Sequence, residues 1–139
     1  MIRLGEELRL LRLYLTIEEA RFSNRMQVAI HVPDALRSAL VPSLILQPLV
    51  ENAVRYGVGR SETMTTITIA AEERDQQLRL IVEDDGGAGE IPEGGSGLGL
   101  ANVRDRLEAH FGSRGRLIAA PDARGGYRAV LDLPLSRPS

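Results

Sequence analysis

Apolar side chains at Leu8, Leu11, Leu15 and Ile17, separated by arginines and glutamates, predict a helix over residues 4–22. The stretch MQVAIHV (26–32) alternates apolar and polar positions, the pattern of a half-buried strand, and Pro33-Asp34 ends it. A second helix is predicted from about Pro42 or Ser43 to Gly57, with the glycine as its stop. TMTTITIAA (63–71) and QLRLIVED (77–84) read as strands joined by the charged turn EERDQ. GGAGEIPEGGSG (86–97) has no periodicity and reads as a mobile loop. A third helix is predicted over 98–111, ended by Gly112. The last two strands, 117–120 and 127–133, flank the turn PDARGG, and the tail after Pro134 is expected to fray.

Helices mixed with hairpin-linked strands, rather than a regular strand–helix alternation, imply a two-layer α/β sandwich: one mostly antiparallel, mixed sheet with helices on one face. At 139 residues the chain is long enough for one domain with a proper core. No apolar run approaches the ~18 residues of a membrane span, and the start MIRLGEELRL lacks the apolar core of a signal peptide. With no cysteine there are no disulfides, thiolate metal sites or Cys nucleophile. A net charge of -2 and the absence of Trp argue against a basic or base-stacking nucleic-acid surface.

Three segments carry candidate chemistry. In LVENAVRYG (49–57), Asn52, Arg55 and Tyr56 stand at i, i+3 and i+4 and should share one helical face beside the stripe Leu46, Leu49, Val50, Ala53. Asn offers a neutral oxygen suited to Mg²⁺ that already carries phosphate oxygens, and Arg offers a planar fork for phosphate. A solvated helix face is the plainer reading. In VEDDGGAG (82–89), a strand ends in two acids and opens into glycine. Either acid could form a turn, or accept a hydrogen bond from an exocyclic base amine, with Gly86 letting the ring approach the backbone. In GSGLGLANVRDRL (95–107), a Gly-rich loop precedes a helix, whose free N–H groups and dipole make a phosphate seat. Glycines 95 and 97 do not meet the dinucleotide fingerprint, and the chain has no lysine for a Walker motif.

In order and spacing these runs resemble the ATP-binding catalytic domain of histidine kinases, within the gyrase, Hsp90, kinase and MutL ATPase superfamily, and in particular LytS-type sensor kinases. LILQPLVENAVRYG is similar to that family's N box, VEDDGGAG to its G1 box and GSGLGLANVRDRL to its G2 box. EELRLLRLYLTIEEARF is similar to the helix leading into the domain, and GGYRAVLDLP to its closing strand. The resemblance implies ATP and Mg²⁺ as cofactors. Asn52 takes the place of the Mg²⁺ ligand, Arg55 that of a phosphate contact, and Tyr56 lies near adenine or ribose. Glu51 is a possible helper in activating the acceptor. Asp84 keeps the gapless match to the adenine-binding Asp. Asp85 is the alternative, restoring the glycine spacing at a one-residue change of strand parity, which turns a side chain to the other face. Gly95, Gly97 and Gly99, with the backbone of Leu98 and Leu100, would form the lid hinge and phosphate cradle, and Asn102 lies near the phosphates. Tyr127 stands where the family often has threonine.

The resemblance also implies a division into a lead helix (1–22) from a missing dimerisation and phosphoacceptor region, an ATP-binding domain (23–135) and a tail (136–139). His31, flanked by Ile30 and Val32, reads as a residue on the solvated sheet face, and His110 as a charge partner for a helix C-terminus. Neither fits a phosphoacceptor, so the acceptor histidine is expected outside this chain. The implied partners are the phosphoacceptor/dimerisation domain of a parent kinase and, indirectly, a response regulator. No nucleic acid or membrane contact is expected, the isolated domain is expected to be monomeric, and its place is the cytoplasmic side of a sensor kinase. An anti-sigma-factor-type serine kinase and a non-catalytic regulatory module are the rival readings.

Overall fold

The computed structural model describes residues 1–59, 61–86, 97–122 and 125–138. Helix α1 (Leu4–Arg21) follows a two-residue strand β1 (Ile2–Arg3). Strand β2 (Met26–His31) leads through a 3₁₀ turn (Asp34–Leu36) to β3 (Leu40–Val41), and then to helix α2 (Gln47–Asn52), which continues as a π-helical turn (Ala53–Val58). The hairpin β4 (Thr65–Arg74) and β5 (Gln77–Asp84) comes next, then α3 (Gly97–Phe111), a 3₁₀ turn (Gly112–Arg114), and the strands β6 (Arg116–Pro121) and β7 (Tyr127–Pro134).

Five strands form one mixed sheet in the order β2-β4-β5-β7-β6, with β2 parallel to β4 and the other pairs antiparallel. Strands β1 and β3 pair separately. Alternation sends Ile67, Ile69, Leu78, Leu80, Val82, Leu131 and Leu133 to one face, where they are buried with Leu4, Leu8, Leu11 and Leu15 of α1, Leu49 and Val50 of α2, and Val103 and Leu107 of α3. This is the expected two-layer sandwich. Truncating one such leucine to alanine costs about 2–5 kcal/mol. The other face carries polar rungs, among them the two-pronged pair Arg79–Asp132, with Nε to Oδ1 at 2.8 Å and Nη2 to Oδ2 at 3.1 Å.

Several boundaries differ from the expectation. The core stripe of α1 is 4-8-11-15; Ile17, about 200° around the helix from Leu15, is 67% exposed. The second helix starts at Gln47 rather than Pro42 or Ser43. Residues 42–46 form a turn instead, with Leu44 at φ 61, because the buried carboxylate of Glu7 accepts the backbone N–H groups of Leu44 and Leu46, each at 2.9 Å. Those donors therefore need no helical geometry. Arg106 of α3 holds the same turn by donating to the carbonyls of Ser43 and Leu44. The second helix also passes through Gly57 and ends at Val58, with Gly59 as its cap.

The charged turn shrinks to Asp75-Gln76, because Glu72, Glu73 and Arg74 pair with Arg79, Leu78 and Gln77. Both turn residues have positive φ (51 and 66), the backbone of a tight two-residue hairpin. Nor does the tail fray directly after Pro134. Leu135 N–H donates to Gln76, Ser136 accepts from Leu40, and Arg137 donates to Ala35. The predicted loop at 86–97 lies, from residue 87 to 96, outside the described residues.

Candidate functional site

A crevice opens where the C-terminal end of β5 meets α2 and the start of α3. Its floor is two adjacent rungs of the sheet, Asp84 opposite Tyr127 and Val82 opposite Ala129. One wall is Leu49, Asn52, Ala53 and Tyr56, and Leu100 and Gly86 complete the lining. The crevice is narrow: it leaves about 20 Å³ for the centres of water-sized molecules, within about 400 Å³ of empty space that runs out into open solvent.

Asp84 is 7% exposed, and its Oδ1 accepts the N–H of Gly86 at 3.1 Å. Among the described residues no cation pairs with it, so burial pushes its carboxyl up to about 6, against a smaller pull downward from the Gly86 bond. Two glycines make room for it. A Cβ on Gly57 would lie 2.5 Å from the Asp84 carboxyl carbon, and a Cβ on Gly126 (φ 83) would lie 1.9 Å from the Asp84 carbonyl oxygen. Gly86 is packed as closely: a Cβ there would meet the Thr65 hydroxyl at 2.2 Å.

Among the described residues, two buried polar atoms beside this floor have no hydrogen-bond partner, the Asn52 side-chain nitrogen and the Thr65 hydroxyl. An unmet buried donor costs about 1–3 kcal/mol. Such groups persist where a ligand completes them. Among the described residues no cluster of three His, Cys, Asp or Glu could hold a metal ion. A cation at this crevice would therefore take its ligands from Asn52 and from a bound anion, the way Mg²⁺ is held with phosphates. The Asn52 amide offers that arrangement two groups: its unmet N–H donor can be met by an oxygen of the bound anion, and its neutral oxygen can ligate the cation.

The candidate residues divide between two surfaces. Asn52, Tyr56, Asp84, Gly86 and Leu100 come together in the crevice. Arg55 does not share their face: with Glu51 it lines a neighbouring groove against Tyr14, Glu18, Arg21 and Phe22 of the α1 end. The π-helical turn is the reason, since its wider spacing breaks the i, i+3, i+4 coincidence that a regular helix would give. The Arg55 guanidinium still lies 5.6 Å from the Tyr56 ring centre. Glu51 accepts from Gln47 at 3.1 Å.

Asp85 turns away from the crevice; its Oδ1 accepts the Thr66 N–H at 2.7 Å. Gly97, Leu98, Gly99 and Leu100 form the first turn of α3. Among the described residues nothing lies within 4 Å of where a Gly99 side chain would start, and Asn102 is exposed outside the crevice. Gly95 lies outside the described residues. His31 and His110 are exposed, as read.

Sequence reading missed Gly57, which packs against the Asp84 carboxylate, and Tyr127, which lines the crevice. Gly57 looked like a helix stop, and only the facing carboxylate shows why it lacks a side chain. The parity of Tyr127 with the buried Ala129, Leu131 and Leu133 was the available signal.

The family described as histidine kinase-, DNA gyrase B-, and HSP90-like ATPase matches residues 39–137. The chain belongs to this family. It is 35% identical over 133 residues to sensor histidine kinase BtsS of Escherichia coli K12, covering 96% of this chain and 24% of that protein. It is 28% identical over 146 residues to sensor protein LytS of Bacillus anthracis, covering 96% of this chain and 25% of that one. The chain thus spans about a quarter of the length of the curated relatives it matches. In fold it is similar to the catalytic domain of histidine kinase ThkA, with a TM-score of 0.73 at 18% identity over 99% of this chain and 97% of the other. No helix among the described residues is long and apolar enough to cross a membrane.

Proposed function

We propose that this chain is the ATP-binding catalytic domain of a two-component sensor histidine kinase, which binds Mg-ATP and presents the γ-phosphate to a phosphoacceptor histidine outside this chain. The observation that carries the reading is the buried Asp84 carboxylate, which no cation pairs with among the described residues, on the floor of a crevice whose wall bears the Asn52 amide nitrogen, likewise unpartnered among those residues. A purine with an exocyclic amine answers the first, and a phosphate oxygen answers the Asn52 N–H, the amide oxygen being the atom that would ligate a phosphate-bound cation.

In this reading Asp84, rather than the outward Asp85, accepts the adenine amine. Tyr56 flanks the base or ribose, and Gly86 lets the ring approach. The phosphates run toward the N-terminus of α3, where Gly95, Gly97 and Gly99, the backbone of Leu98 and Leu100, and Asn102 receive them. Arg55 swings from its groove to the phosphates, a motion its long exposed side chain allows. Glu51, on the same groove, faces the incoming acceptor as a polar helper. Asn52 would hold Mg²⁺, which supplies charge neutralisation at the phosphates when bound. Positioning and electrostatics carry most of such a phosphoryl transfer. Residues 1–22 would lead in from the dimerisation and phosphoacceptor region, residues 23–135 form the nucleotide domain and 136–139 the tail. The response regulator is met indirectly, through the phosphorylated partner domain on the cytoplasmic side.

Isothermal titration tests the reading. The wild-type chain should bind ATP with Mg²⁺, and Asn52→Ala should remove the gain in affinity that Mg²⁺ brings. Mg²⁺-dependent binding undiminished in Asn52→Ala would refute the metal role; absence of any adenine-nucleotide binding by the wild type would refute the whole reading.

A further inference from the structure

One turn of the chain is held by side chains from two other helices. Residues 42–46 form the root of α2, which begins at Gln47 and carries Asn52. From one side the buried Glu7 of α1 accepts the N–H groups of Leu44 and Leu46, each at 2.9 Å. From the other side Arg106 of α3 donates through Nη2 to the Ser43 carbonyl and through Nη1 to the Leu44 carbonyl, the latter at 3.2 Å. Between them sits Leu44, at φ 61 and with its side chain 51% exposed. A left-handed backbone is unfavourable for leucine, and an exposed side chain supplies no packing to offset it. The bonds from Glu7 and Arg106 therefore hold the turn, and backbone kept in such a region by its surroundings clusters at functional sites.

Resting on the proposed nucleotide reading, we infer that Arg106 is a positioning residue for the phosphates: it ties α3, whose first turn receives them, to the root of the helix that bears Asn52. The walls of the crevice come from different helices, Asn52 from α2 and Leu100 from α3. Val103 and Leu107 bury α3 against the core, but apolar burial is non-directional and leaves small slides and turns of the helix unopposed. A guanidinium fork on two consecutive carbonyls is directional, so it fixes register as well as distance. Arg106 stands two turns beyond Gly99, about 10 Å along the axis, and the helix between them carries any shift at the fork to the phosphate seat. In this reading the base rests on the sheet floor, at Asp84 and Val82, whereas both bonds of the fork go to the root of α2. Loss of the fork therefore weakens the phosphate end of the ligand and spares the base.

The test measures affinities for ATP and for adenosine by NMR titration, which follows weak as well as tight binding, on the wild type, Arg106→Gln and Arg106→Lys. Glutamine removes the fork; lysine keeps the charge without the planar pair of donors. In Arg106→Gln the ratio of ATP affinity to adenosine affinity should fall about tenfold, the scale of two lost hydrogen bonds, with adenosine binding within about twofold of the wild type. In Arg106→Lys the same ratio should fall at least about threefold, and this variant carries the test if circular dichroism shows the glutamine variant unfolded. An unchanged ratio in Arg106→Gln, or an equal fall for both ligands, would overturn the inference. So would full retention of the ratio in Arg106→Lys, which would assign the effect to charge alone. Failure of the wild type to bind ATP would instead sink the nucleotide reading on which the inference rests.

Discussion

Replacing Asp84 by asparagine should make the unliganded domain more stable while removing its nucleotide anchor. The carboxylate is buried and no cation among the described residues pairs with it, so the fold holds its charged form at a disadvantage. Its rise from 3.8 to about 6 corresponds, at about 1.36 kcal/mol per pKa unit, to about 3 kcal/mol of destabilisation at neutral pH. Asparagine keeps an oxygen for the Gly86 N–H but adds donors that need partners, so the net gain should be about 1–3 kcal/mol, or about 3–10 °C in Tm for a domain of this size.

The pH dependence has a definite sign. Between 3.8 and about 6 the folded state binds the Asp84 proton and the unfolded state does not, so this group's contribution to stability falls as pH rises through that window and is flat above it. The difference between variant and wild type should therefore be largest at pH 7.5 and shrink as the pH drops from 6 toward 4. Titrating groups that do not couple to Asp84 cancel in that difference; Asp85 and Glu83, whose charges push the Asp84 carboxyl up, add smaller contributions of their own. Thermal melts of both proteins across this range are the assay, with ATP added in a parallel series. An Asp84→Asn protein less stable than wild type at pH 7.5, or a gap that does not narrow with acid, would refute the account of Asp84 as an unpaired buried charge. ATP-induced stabilisation equal to that of the wild type would refute its role as the adenine anchor.

Gly57→Ala should drive a methyl group into the Asp84 carboxylate, 2.5 Å from its carbon, costing about 1–3 kcal/mol as an overpacked site does and lowering ATP affinity at least tenfold; denaturant unfolding and titration report the two effects separately. Glu7→Gln removes one of the two acceptors that hold Leu44 and Leu46 and should cost about 1–3 kcal/mol in urea unfolding, with nucleotide affinity changed less than in Gly57→Ala, because Glu7 lies outside the crevice.

Local order along the chain was legible from local causes. Strand parity in QLRLIVED, the spacing of Leu8, Leu11 and Leu15, and the glycine after Phe111 each act within a turn or a rung, so residue spacing alone points to the element. Parity also separated the two acids: Asp84 shares the buried face of Leu78, Leu80 and Val82, while Asp85 turns outward to Thr66. The reach of α2 was not legible, because a carboxylate 39 residues upstream satisfies the N–H of Leu46 and relieves residues 42–46 of the need for helix. The separation of Arg55 from Asn52 depends on a π-helical turn held by packing against β4 and β5, which helical spacing does not register. The meaning of Gly57 and Tyr127 likewise came only with the fold. A glycine is silent until the atom it admits is known, and a tyrosine in a strand becomes part of a crevice only when the opposing rung turns out to carry the buried acid. Periodicity reports which face a residue takes; the sheet order and the long-range contacts report what stands across from it, and chemistry at a site depends on the second.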